Sequence, residues 1–71
     1  MNNILENLYL RYPELAKRPT ELQLSRYQLK ELSDMEFITL LQLEDVTILT
    51  TQRSMNWCRK RAEGLGMKLP P

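Results

Sequence analysis

The chain of 71 residues has no histidine, one cysteine, two glycines and one tryptophan. Without histidine there is no Ser–His or Cys–His nucleophile pair and no imidazole to ligate a metal. A single thiol cannot close an internal disulfide, and alone it cannot hold a structural zinc. No two carboxylates are spaced as a recognisable acid–base pair, so neither an enzyme nor a bound metal or cofactor is expected. Long apolar runs are missing too. Nothing approaches the roughly 20 apolar residues that span a bilayer, and the opening MNNILENLYLRY shows no basic stretch followed by an apolar one, as a secretion signal would. These absences together predict a cytoplasmic protein with no membrane contact.

What the chain does have is leucine, fourteen in all, with Ile4, Phe37, Ile38, Val46, Ile48 and Trp57 beside them. A domain of this size buries only about 60 % of its unfolded surface, but this apolar supply is adequate for one small core. A single domain over residues 1–71 is expected, with a homodimer sharing that core as a further option. The net charge of +1 conceals a division. Residues 1–45 hold eight acids and five bases, a balance of −3, whereas residues 46–71 hold one acid, Glu63, and five bases, a balance of +4. Such asymmetry suggests an anionic partner for one end of the molecule.

Start and stop signals predict an all-α fold, a compact bundle of four or five short helices. Asn2 or Asn3 can cap a helix over Asn3–Tyr12, closed by Pro13, with Ile4, Leu5, Leu8 and Tyr12 at helical spacing. The stretch PELAKRPT reads as a loop or a single helical turn, with a bend at Arg18-Pro19. Leu22 and Leu24 alternate as in a strand, but Ser25 followed by Gln28 forms a capping box, which favours a helix over Arg26–Leu32. Ser33 and Glu36 repeat that signal more strongly, with acids in the first turn, for a helix ending near Gln42 or Leu43. The β-branched run in LEDVTILTT suits a strand. Lacking an evident partner strand, it is read as a short helix over Glu44–Leu49. Thr50 or Thr51 then caps a last helix, Gln52–Glu63, with Gly64 and Gly66 as left-handed stops and Pro70-Pro71 beyond them.

That last helix carries Arg53, Arg59, Lys60 and Arg61. At about 100° per residue, Thr51, Met55, Cys58, Ala62 and Leu65 fall on the side a core would take. Opposite lie Gln52, Arg53, Asn56, Arg59, Lys60 and Glu63, with Trp57 and Arg61 on a flank. An ordinary solvated helix would mix charge signs more evenly than this face does. Arginine can bind guanine bidentately, Gln and Asn can bind adenine, and the remaining cations can neutralise phosphates. Gln52, Arg53 and Asn56, near the helix start, are the candidate base contacts; Arg59, Lys60, Arg61 and Lys68 are the candidate phosphate contacts. Cys58 is read as inert packing.

The segment LEDVTILTTQRSMNWCRKRAEGLGMKLP, residues 43–70, resembles the helix-turn-helix of small phage and mobile-element regulators of the excisionase type. The likeness lies in Val46-Thr47 before a turn, Gln52-Arg53-Ser54 opening the next helix, and a tryptophan followed by a basic cluster and glycine. Thr47, Thr51 and Trp57 depart from the usual alanine, turn glycine and aliphatic residue. The resemblance implies a helix-turn-helix over residues 43–66 on a scaffold of residues 1–42. It also implies a sequence-specific, double-stranded-DNA-binding protein that regulates transcription or assists recombination. A different class fits the same residues: a helical module that modulates a partner protein, with Trp57 and Met55 as anchors. For that module Trp57→Ala would weaken binding more than loss of Arg59 and Lys60; for a DNA binder the order reverses.

Overall fold

The computed structural model describes residues 3–67. The Asn2 cap, Lys68 and the Pro70-Pro71 stop lie outside the described residues. The order of elements is α1 (Asn3–Arg11), a single 3₁₀ turn (Pro13–Ala16), β1 (Thr20–Gln23), α2 (Arg26–Glu31), α3 (Asp34–Gln42), β2 (Val46–Leu49) and α4 (Gln52–Gly64).

Local signals explain most of these boundaries. Both capping boxes are made: Ser25 Oγ accepts from the Gln28 N–H at 3.2 Å, and Ser33 Oγ accepts from the Glu36 N–H at 3.1 Å. The return bonds, from the Ser25 N–H to Gln28 and from the Ser33 N–H to Glu36, are 2.8 and 2.9 Å. Each box satisfies two donors that a helix start leaves without a partner. Thr51 caps α4, its Oγ1 accepting from the Ser54 N–H at 3.1 Å. At the other end Gly66 adopts φ +79°. The Met67 N–H reaches the Ala62 carbonyl at 2.9 Å and the Gly66 N–H reaches that of Glu63 at 3.0 Å. This pair of bonds is the Schellman closure, which requires a left-handed residue just past the helix.

The expectation of an all-α chain is corrected here. The fold is mostly helical, but Val46–Leu49 is a strand, not the helix read over Glu44–Leu49. It pairs in parallel with Thr20–Gln23, with Thr20 opposite Val46 and Gln23 opposite Leu49. Parallel strands need a long crossover, and residues 24–45, carrying α2 and α3, provide it. Asp45 decides the local outcome: at φ 60° it cannot continue a helix, and its carbonyl accepts the Thr20 N–H at 2.8 Å, opening the ladder. Aspartate tolerates this left-handed conformation better than most residues. The β-branched Val46, Thr47 and Ile48 then suit the pleat. Residues 43–66 are therefore turn, strand and helix, and the helices joined across a tight turn are α2 and α3.

The core is formed by Leu8 from α1 and Tyr12 just beyond it, Leu15, Leu22 and Leu24 around β1, Leu29 from α2 and Leu32 at its C-cap, and Phe37 and Leu40 from α3. From α4 only Ser54, Cys58 and Ala62 are buried. They recur every four residues on one stripe. Thr51, read as core-facing, is exposed; its hydroxyl meets Ser54 instead, at 3.0 Å. Among the described residues no helix is long and apolar enough to cross a membrane.

The second capping box has a pH signature. The backbone N–H of Ser33 holds the Glu36 carboxyl below its ordinary value against the opposing effect of burial. The Ser33 hydroxyl and Arg11, 3.5 Å away, add to the lowering. A carboxyl whose folded pKa is depressed contributes stability above the unfolded value, about 4.3, and loses it as pH falls through the folded one. Thermal melts of the wild type and Glu36→Gln between pH 7 and 3 should therefore converge on acidification, since glutamine can keep the box but has no proton to gain.

Candidate nucleic-acid interface

Three tiers of side chains run along the outer surface of α4. At the crest, Gln52, Asn56 and Glu63 are exposed. Gln52 Nε2 donates to Asn56 Oδ1 at 3.3 Å. That bond does not use the Gln52 side-chain oxygen or the Asn56 amino group, one acceptor and one donor. On one shoulder stands Arg59, at the rim of a cleft of about 290 Å³ lined by Leu40, Leu41, Ile48, Met55 and Cys58. On the other shoulder Arg53 and Lys60 face α2. Among the described residues, Arg53, Arg59 and Lys60 take part in neither of the two ion pairs, which are Arg11–Glu36 and Arg61–Asp34.

Arg61 is placed differently from the phosphate role read for it. Its guanidinium turns inward and donates to the Leu29 carbonyl at 3.1 Å, the Leu32 carbonyl at 2.8 Å and Asp34 Oδ1 at 3.0 Å. It also lies 4.4 Å from the Phe37 ring centroid and 5.6 Å from that of Trp57. The two carbonyls belong to the end of α2, where a helix leaves acceptors unpaired and favours positive charge. Arg61 is thus a joint between α4, α2 and α3, and it does not belong with the outward cations. Lys68 lies outside the described residues.

Trp57 is half-buried and meets Phe37 edge-on, with centroids 6.4 Å apart and rings at 79°. Met55 is half-buried at the cleft beside Arg59. Trp57 is packed against the core cluster. Burial pushes the Cys58 thiol up, with Arg61 pulling weakly the other way. The protonated form is a poor nucleophile, in keeping with inert packing.

One group was missed by reading the sequence. Arg26, Tyr27 and Lys30 of α2 stand beside α4, and Tyr27 is 82 % exposed. Arg26 and Arg53 line two adjoining open depressions, one completed by Asn56, Trp57 and Lys60, the other by Tyr27 and Lys30. The i, i+4 spacing of Arg26 and Lys30 was a visible signal that they share a helix face. What no local signal carried was that this face adjoins α4. The basic surface therefore combines side chains from both halves of the charge division.

Comparison with protein-family models, curated proteins and solved structures yields no significant match to this chain.

Proposed function

We propose that the protein binds duplex DNA by laying the N-terminal part of α4 in the major groove, as a small regulator or recombination accessory factor. The observation that carries this reading is the ordering of side chains around α4: an amide crest between two cationic shoulders. A B-DNA major groove admits one α-helix, with base edges at its floor and phosphates on both walls. Gln52 and Asn56 are exposed on the crest, and the acceptor and donor that their mutual bond does not use match the amino group and N7 of adenine. Arg53 and Lys60 on one side and Arg59 on the other suit the walls. Arg53 is also near enough to the crest to read guanine. Glu63, the acid at the far end of the crest, favours entry by the first two turns.

The test is a titration of the full chain against a random-sequence 30-bp duplex at 50 and 200 mM salt, followed by selection from a randomised library. Three phosphates neutralised from α4 predict an affinity loss of at least about 40-fold over that salt range, and any phosphate held by another element adds to it. Absence of binding to any duplex at 50 mM would end the proposal.

A further inference from the structure

We infer that the groove between α2 and α4 clamps the sugar-phosphate backbone of one strand of the bound duplex, with Arg26 and Lys30 as phosphate ligands that α4 alone does not supply. The inference rests on the DNA-binding reading and adds a second element to it. Three observations carry it. Arg26, Lys30, Arg53 and Lys60 come from two helices yet line two depressions that share Arg26 and Arg53, so their charges act on one continuous surface. Among the described residues, no acidic one lines either depression. Neither Arg26 nor Lys30 is drawn into an ion pair among the described residues, in contrast to Arg11 and Arg61.

The position of the groove decides what occupies it. It continues the Arg53–Lys60 shoulder of α4, which under the proposed docking faces one wall of the major groove. A wall of that groove is a phosphate backbone, so a helix whose side chains line the same depressions as this shoulder meets the same strand a little farther along. Phosphate contacts fix register and orientation without reading sequence. Arg26 and Lys30 would therefore raise affinity for every duplex alike, whereas Gln52 and Asn56 would set preference. Tyr27, exposed between the cations, can donate its hydroxyl to a phosphate oxygen. The lone tryptophan, Trp57, lines the groove and makes its occupancy observable by fluorescence.

The experiment compares wild type, Arg26→Ala/Lys30→Ala and a remote control, Lys17→Ala, by Trp57 fluorescence titration with the 30-bp duplex and with a 30-nucleotide single strand. Measurements run from 50 to 200 mM salt, with circular dichroism to confirm folding. Removing two phosphate ligands should lower the slope of log affinity against log salt by about 1.8, so the salt-driven loss shrinks about 12-fold. Lys17→Ala should keep the wild-type slope, and the ranking of duplex sequences should be the same for all three proteins. If the wild type binds duplex but the double variant keeps its slope, the clamp is wrong while the DNA reading stands. A wild type that binds no duplex overturns both. If the single strand binds more tightly than the duplex, and Tyr27→Ala loses tenfold where Tyr27→Phe loses nothing, the groove is a stacking platform for unpaired bases and the clamp is likewise overturned.

Discussion

Arg61→Ala is expected to destabilise the domain by about 2–3 kcal/mol, the largest stability loss from a single non-core position. The substitution removes the donor to two carbonyls at the end of α2. Losing hydrogen bonds from a charged donor and leaving acceptors without partners has that magnitude. The methylene stem of the arginine and its cover over Phe37 are lost as well. The ion pair with Asp34 adds little, because that carboxylate is 67 % exposed and exposed pairs contribute less than about 1 kcal/mol. Small domains of this length hold on the order of 4–10 kcal/mol in total, so the thermal midpoint should fall by about 10–20 °C. Arg61→Lys should recover only a minor part, since an ammonium has no planar fork to serve two carbonyls and a carboxylate together. Thermal melts of the three proteins decide it. A variant melting within a few degrees of wild type would show that the joint is not a structural one.

The second large effect is on binding. The triple variant Arg53→Ala/Arg59→Ala/Lys60→Ala is expected to lose at least about 100-fold in duplex affinity near 0.15 M salt, with a salt slope shallower by about 2.7. Its stability should stay close to wild type, because all three side chains are exposed and none is in an ion pair among the described residues. Gln52→Ala/Asn56→Ala should do the opposite: nearly unchanged affinity for random duplex, but a flattened preference among selected sites, at about 1–3 kcal/mol for each base no longer read. Equal losses from the two variants on random duplex would contradict the division of labour between crest and shoulders. A greater loss from Trp57→Ala than from the triple variant, with the fold intact, would favour a protein partner instead.

The contrast between Arg61 and its neighbours shows where sequence reading stops. Arg59, Lys60 and Arg61 are consecutive and chemically alike, yet the first two are surface cations and the third is a joint between three helices. Helical periodicity placed Arg61 on the flank. A flank position turns inward or outward according to what the neighbouring element offers, and here the end of α2 presents two carbonyls. The same limit hid the partner of β2. Val46-Thr47-Ile48 had strand chemistry, and Leu22 and Leu24 alternated as a strand does, but the two segments are separated by two helices. Their pairing depends on Asp45 turning left-handed and on the chain returning in register.

What the sequence determined by itself is the set of events that span a few residues. The serine caps at 25 and 33, the threonine cap at 51, the glycine closure at 66 and the separation of α4 into an apolar stripe and a cationic face all depend on neighbours within about one helical turn. Tertiary structure alone decided the parallel sheet, the inward turn of Arg61 and the meeting of Arg26 and Lys30 with Arg53 and Lys60. Each of these joins groups far apart along the chain, and such contacts form only when packing of the leucine core around Phe37 has offset the entropy of closing the intervening loop.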